Sequence, residues 1–526
     1  MSRYKDTMTR ASLADQLRRN ALHFGDRQAV VSYDLNSNRS VMTYLELDNY
    51  SDKVASALSQ AGMEIGDRIC AIAKNSLDYV ALWYGALKVG MPLSGVNPLL
   101  TPLDIEDHFA SLRPRVLFVD RVFLEKYEGV IKDAHSIELV VIADRDGDYK
   151  GKLKRTQKLV DLSHFDTMAP FVPNREAGED DIAMIVLTSG TEAKPKGVML
   201  SNRNYLIATI PSWSIDLSLT RDDRWLFVMP FFTMAGIGTM TTLTQVGATV
   251  VLPATIDPDR AIALILSEKI TIMAQTPTFY LAMSKSLNFT NATVSTLARA
   301  ITYGGLVPKA MLDAWSAVHP KILWGTYWSQ SELAQVGTSG WFHTMEEIPD
   351  RDPSWIGRAM PALEIRIVDP DGNDTNVGEA IARSPGITSG YFNDIDRSEK
   401  LFGDGWLHTG DVMRIDSSGN LFFVDRLKDV IKTGGFNVSS VEVERVISQH
   451  HGVERVAVVG VPDPYWSEAI TAFVVLRDNV VCEVDEISAF ARERLASFKV
   501  PKSIRIVDLL PTDSQGKVLK RVLRSL

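Results

Sequence analysis

The strongest chemical signal in the chain is LTSGTEAKPKGVML at positions 187–200. Thr188, Ser189 and Thr191 supply hydroxyl donors, and Lys194 and Lys196 supply positive charge. Gly190 and Gly197 let the backbone turn and approach a ligand closely. The preceding DIAMIVL is strand-like, so the loop leaves the end of a buried strand. Such a loop can cradle phosphate oxygens with backbone N–H groups, hydroxyls and ammonium groups. The plainer reading is a charged, exposed Gly/Ser/Thr turn, since turns favour these residues anyway. The Walker pattern does not fit, because Lys196 precedes Gly197 and no Ser or Thr follows the lysine.

The surrounding elements suit a loop of this kind. Apolar residues recur at helical spacing over 51–63 and 77–90, with a strand-like RICAIA at 68–73 between them. Thr101 is an expected N-cap with Pro102 at the first helical position. Strands alternating with helices imply a parallel, covered sheet. The last hundred residues differ: strands are expected at 453–461, 470–476 and 504–510, with a helix over 485–498 opening on an acidic cap. The fold class is therefore α/β, a large N-terminal multi-sheet α/β domain (1–427) plus a small mobile C-terminal α+β domain (428–526). The boundary falls near Lys428, in DRLKDVIKTGGFNVSS.

Composition narrows the class. The 526 residues carry 56 basic and 65 acidic side chains, net −9, with 45% hydrophobic residues. A chain this acidic is not a nucleic-acid binder over its whole surface. Two cysteines far apart, Cys70 and Cys482, exclude a zinc ribbon or disulfide framework and fit a reducing compartment. No stretch reaches the ~18 apolar residues of a membrane span, and the N-terminus lacks the apolar core of a signal peptide. A cytoplasmic protein with no membrane span is expected. His450 and His451 read as an exposed helix end rather than a metal site, and Lys520 and Arg521 as ordinary surface cations.

The loop resembles the signature T-S-G-T-T-G-x-P-K-G of the adenylate-forming superfamily, which includes acyl-CoA synthetases, peptide-synthetase adenylation domains and firefly luciferase. YGG at 303–305, WSQSE at 328–332, GDGWLHTGD at 403–411, DRLKDVIKTGGFNVSSVEVE at 425–444 and LPTDSQGKVLKR at 510–521 follow in the family order, so the resemblance covers nearly the whole chain. It implies ATP-dependent activation of a carboxylic acid to an acyl-adenylate, then transfer to CoA with release of AMP and pyrophosphate. ATP and Mg2+ are the implied cofactors, CoA is the cosubstrate, and a homodimer is left open.

Residue by residue, the resemblance assigns Lys517, Glu332 and Ser331 to catalysis, with Glu332 also on the metal. Thr188, Ser189, Gly190, Thr191, Lys196, Gly304, Gly305, Trp328, Asp411 and Arg426 would hold the nucleotide. Asp411 would accept both ribose hydroxyls, Arg426 would contact ribose and phosphate, and Trp328 would stack on adenine. Lys517 would bridge the acyl carboxylate and the α-phosphate, as a flexible point charge can. Lys428 is the implied hinge. Gly434 and Gly435 would line the pantetheine tunnel, where a side chain would block a thin thiol arm. His408, near Asp411, is read as structural.

Six positions depart from the family pattern: Glu192 and Ala193 replace Thr-Gly, Trp328 replaces tyrosine, Ser329 replaces glycine, Ser331 replaces threonine, and Thr233 stands where many acyl- and aryl-CoA synthetases have histidine. The implied acyl pocket includes Phe232, Thr233, Gly236 and Tyr303. No aspartate lies in 230–240 to pair with an α-ammonium group, so an apolar acid is preferred. Two alternatives stand beside the ligase: a stand-alone adenylation enzyme loading a carrier protein, and a non-catalytic nucleotide or acyl binder.

Overall fold

The computed structural model describes residues 11–144, 157–171, 177–187, 196–303, 307–402, 404–477, 480, 482–512 and 518–526, with Thr188 described as backbone only. Two compact units emerge. The first comprises Met1–Pro353, Gly357–Glu364 and Arg383–Trp406; the second comprises Ser354–Ile356, Ile365–Ala382 and Leu407–Leu526. Lys428 falls inside the second.

The first unit is α/β, as the alternating pattern requires. Its seven-stranded sheet runs Lys158–Asp161, Leu139–Ile142, Val116–Val119, Ile69–Ile72, Leu93–Gly95, Ile182–Thr188, Lys196–Ser201. All neighbours are parallel except the last pair, an antiparallel hairpin. Ile69–Ile72, Val116–Val119 and Leu139–Ile142 are buried along their whole length, which is what strands covered on both faces demand. Each such Leu, Ile or Val contributes about 1.5–3 kcal/mol by leaving water. A second set of parallel strands includes Arg224–Leu226, Ile272–Gln275, Arg299–Thr302 and Leu323–Ser329, followed by antiparallel Gly337–Phe342.

Local chemistry sets the helix ends. Thr101 caps Pro102–Leu112 through a reciprocal box with Asp104, as expected. The helix expected over 51–63 begins earlier, at Tyr44, because Thr43 and Glu46 form the same kind of box. Helix Leu77–Val89 ends on Gly90 at φ 81°, the left-handed stop that glycine allows. Lys88 near its end is buried 2.7 Å from both Asp48 and Asp52.

The second unit is smaller and mixed. Val377–Arg383, Leu407–Ile415 and Leu421–Arg426 form an antiparallel ladder. A further sheet orders Phe436–Val438, Ile431–Thr433, Ser467–Leu476 and Val453–Asp463, with Ser503–Ile506 parallel to Ser467–Leu476. Its core joins Val443, Ile447, Ile470, Val474, Ile487 and Ala491. The expected helix over 485–498 spans Val484–Arg494, with Glu483 at the cap position making no side-chain cap bond. Lys520 is no ordinary surface cation: it is paired with Glu444 at 2.8 Å and donates to Ser440 at 2.6 Å. Among the described residues no helix is long and apolar enough to cross a membrane.

Candidate active site

The phosphate-loop reading rests on a hairpin. Ile182–Thr188 enters, Lys196–Ser201 returns antiparallel, and Thr188 faces Lys196 in register. Ser189, Gly190 and Thr191, with the departures Glu192 and Ala193, lie outside the described residues, as do Gly304, Gly305 and Lys517. Packing accounts for Gly197 whatever a ligand requires. It sits within the returning strand, where a Cβ would meet Ile185 at 2.8 Å and Phe392 at 3.4 Å.

Glu332 is presented by a turn that many bonds hold in shape. Strand Leu323–Ser329 runs into a single 3-10 turn, Ser331–Leu333, and the chain then doubles back through Ala334 (φ 49°) and Gln335 (φ 67°). Left-handed backbone at non-glycine residues costs roughly 1–3 kcal/mol each and needs support. Trp213 Nε1 and the Tyr327 hydroxyl donate to the Gln335 carbonyl, the Thr209 hydroxyl donates to the Ala334 carbonyl, and Gln335 Nε2 donates to Thr239 at 3.0 Å. Ser329, the residue in place of glycine, donates to the Val336 carbonyl at 2.8 Å. Its hydroxyl therefore braces the turn. Trp328 is 9% exposed and pairs in register with Thr338.

The Glu332 carboxylate accepts a hydrogen bond from the Tyr391 hydroxyl at 2.9 Å, and its backbone carbonyl accepts from the Thr388 amide at 2.7 Å. The Lys196 ammonium stands 5.4 Å from the centre of the Tyr391 ring. Segment 388–392 is stitched to the returning strand: Thr388 Oγ1 donates to the Met199 carbonyl at 2.6 Å, the Met199 amide to Gly390 at 3.0 Å, and the Phe392 amide to Gly197 at 2.8 Å. Tyr391 and Thr388 thus join Glu332 to the phosphate hairpin. Neither was singled out by sequence; the one available signal was an aromatic in the polar run TSGYFND. Half-buried Glu332 offers hard oxygen donors, the type Mg2+ takes.

The expected acyl-pocket residues have firm local roles. Thr233 caps helix Met234–Val246: its hydroxyl accepts from the Gly236 amide at 2.9 Å and donates to the Pro230 carbonyl at 2.8 Å. Gly236 is required by packing, since a Cβ would stand 1.8 Å from the Pro230 carbonyl oxygen. Phe232 packs over Gly95, whose Cβ would stand 2.5 Å from the Phe232 Cα. Burial raises the Tyr303 hydroxyl above its ordinary pKa. The same helix reaches the Glu332 turn through Thr239 and Gln335. An open cleft of about 490 Å³, lined by Pro361, Leu363, Arg383 and Phe402 among others, contains none of the candidate residues.

In the second unit, Asp411 is fully buried and ion-paired with Arg426 at 2.8 Å, directly opposite it in the ladder. The bend is fixed by the Gly410 amide donating to Glu379 at 3.0 Å and by Thr409 Oγ1 donating to the Ala380 carbonyl at 2.6 Å. His408 contacts the same Glu379 at 3.0 Å, in keeping with a structural role. Lys428 is exposed, and its carbonyl accepts from Arg524 at 3.2 Å. Gly434 (φ 56°) and Gly435 (φ 82°) form the two-residue turn between Ile431–Thr433 and Phe436–Val438. Two left-handed residues make this a type I′ hairpin, so turn geometry alone calls for glycine. A Cβ on Gly434 would stand 3.2 Å from the Trp466 ring, while one on Gly435 would meet nothing within 4 Å.

Comparisons with known proteins agree with this layout. The model of the AMP-binding enzyme family matches residues 17–392, and that of the AMP-binding enzyme C-terminal domain matches 442–517. The chain is 32% identical over 523 residues to the 3-[(3aS,4S,7aS)-7a-methyl-1,5-dioxo-octahydro-1H-inden-4-yl]propanoyl:CoA ligase of Rhodococcus jostii, covering 97% of each chain. It is 29% identical over 490 residues to the feruloyl-CoA synthase of an Amycolatopsis species, covering 92% of this chain and 94% of the relative. The crystal structure of an anthranilate CoA ligase in complex with anthranoyl-AMP superposes with a TM-score of 0.86, with 26% identity over 98% of this chain and 97% of that one.

Proposed function

This chain belongs to the AMP-binding enzyme family, and from that premise we propose how its own residues divide the work of an ATP-dependent acid–CoA ligation. It is an AMP-forming acid–CoA ligase. In the first step a carboxylate oxygen attacks the α-phosphorus of ATP, and the bond to the β-phosphate oxygen breaks to release pyrophosphate. Both reactants are anions, so the site must supply cations and donors where charge builds up. Lys196 faces the phosphates from the returning strand, Ser331 donates to the α-phosphate, and Lys517 bridges that phosphate and the acyl carboxylate. Glu332, steadied by Tyr391, would hold the Mg2+ that offsets phosphate charge when bound. Asp411 takes the ribose hydroxyls, with Arg426 beside it.

In the second step the CoA thiolate attacks the acyl carbon and AMP leaves with its oxygen. The segment after Lys428 rotates about that residue between steps. This withdraws Lys517 and brings the Gly434–Gly435 turn to the thiol arm. The observation that carries the reading is the Glu332–Tyr391–Lys196 grouping on the phosphate hairpin. Both cysteines are free, buried thiols, in keeping with a cytoplasmic enzyme.

The acid is apolar, lacks an α-amino group and carries a ring system. The Rhodococcus and Amycolatopsis relatives, named for a bicyclic propanoate and for ferulate, support this class. CoA-dependent AMP release measured across short, long, aromatic and polycyclic acids and amino acids tests it. Highest turnover on a ring-bearing acid is expected. Highest turnover on an amino acid, or transfer only to a carrier protein, contradicts it.

A further inference from the structure

His450 follows helix Ser440–Ile447 and is 5% exposed, which corrects the reading of an exposed histidine pair. Cys482, also buried, lies just before helix Val484–Arg494, whose first turn carries the exposed Glu486. One donor atom from each of the three lies within 4.8 Å of the others. The Cys482 sulfur is 3.9 Å from His450 Nδ1. Two such donors on a tetrahedral zinc-class ion, bonded at about 2.3 Å and ~2.0 Å, stand roughly 3.5 Å apart. The pair therefore needs only a small closure.

Gly452 keeps the space between them. A Cβ there would stand 3.1 Å from the sulfur and 3.4 Å from Nδ1. The Gly452 amide donates to Nδ1 at 3.2 Å, so in the neutral ring this nitrogen holds the lone pair and Nε2 the proton. Around the ring stand His451 at 4.6 Å and Phe490, edge-on, at 5.1 Å; the Arg494 guanidinium lies 3.8 Å from the centre of the Phe490 ring. Burial lowers the His450 pKa, while burial and then Glu486 raise the Cys482 thiol.

The geometry points to a binding site for a zinc-class divalent cation, held by His450 Nδ1, Cys482 Sγ and the Glu486 carboxylate. Sulfur and imidazole donors select such an ion over magnesium. On binding, the thiol proton passes to solvent and the Gly452 amide gives up its bond to Nδ1. The ion would tie the end of helix Ser440–Ile447 to the start of helix Val484–Arg494, stabilising the second unit independently of ligation.

Cobalt(II) titration of the full chain tests this by absorption, without reference to turnover. The expected result is a sulfur-to-cobalt charge-transfer band that saturates at a single equivalent and is displaced by zinc. The chain has two cysteines, so the band should vanish in Cys482→Ser and persist in Cys70→Ser. Zinc should raise the melting temperature of the wild type and not of Cys482→Ser. Absence of the band in the wild type, or its survival in Cys482→Ser, overturns the site. Should Cys482→Ser fail to fold, Glu486→Gln on the exposed side chain decides the matter: weakened cobalt binding supports the site, and undiminished affinity overturns it.

Discussion

Glu332 and Asp411 are both carboxylates at sharp bends of the backbone, and they are held in opposite ways. Asp411 is fully buried and already faces a cation, Arg426. Glu332 is half-buried, and among the described residues its carboxylate accepts from a neutral hydroxyl, that of Tyr391. A carboxylate paired in advance is oriented to accept hydrogen bonds without reorganising. One bonded to a neutral hydroxyl keeps its charge available for an incoming cation. The difference suits the proposed division, in which Asp411 holds nucleotide and Glu332 meets the charge that develops during adenylation.

Lys517, proposed as a cation for the first step alone, extends the comparison. Lys517→Ala should lower CoA-independent pyrophosphate exchange by about 10²–10³-fold, the range for losing a preorganised donor. Thioester formation from supplied acyl-adenylate should be spared, and equal loss of both steps would break the division. Asp411→Asn should raise the KM for ATP and lower stability by about 1–3 kcal/mol, because it weakens a buried charged contact. Kinetics combined with urea unfolding checks both. Tyr391→Phe removes a neutral partner from Glu332 and should lower kcat only several-fold, matching about 0.5–1.5 kcal/mol for one hydrogen bond. A loss as large as that for Lys517→Ala would place Tyr391 at the reacting atoms.

Glu268 sharpens the comparison from outside the site. It is buried and clamped by Arg39 and Arg224, with Tyr33 also bonded to it. Burial pushes its carboxyl up, but the bonds and charges of these partners outweigh that and bring it down to about 2. A depressed carboxyl contributes stability that is fully present above its unfolded value of 4.5 and is lost as pH falls toward 2. Melting temperature should therefore fall over that acid window, and Glu268→Gln should flatten the fall. Clamping by arginine is thus not a mark of function in itself; Asp411 is distinguished by its place in the motif GWLHTGD.

Much of this was legible in the chain because it is local. The Thr101–Pro102 cap, the strand entering the phosphate hairpin and the order of the motifs all lie in contiguous residues. What escaped is set by long-range packing. Tyr391 meets Glu332 across 59 residues, and Lys520 meets Ser440 across 80. Gly197 and Gly236 are glycines because of neighbours distant along the chain or folded back on it, Phe392 and Pro230 among them. Gly434 and Gly435 show the converse, since a tight hairpin and the proposed thiol passage ask for the same residue type.

The most direct test of the account is the kinetic and thermal behaviour of Glu332→Gln, measured on one preparation by pyrophosphate exchange at varied ATP and by melting temperature. Glu332 is bonded to a hydroxyl that glutamine can also accept from. The account predicts a large fall in kcat, little change in the KM for ATP and an unchanged melting temperature. Full exchange activity, or a fall in activity that only tracks a lost fold, would contradict it.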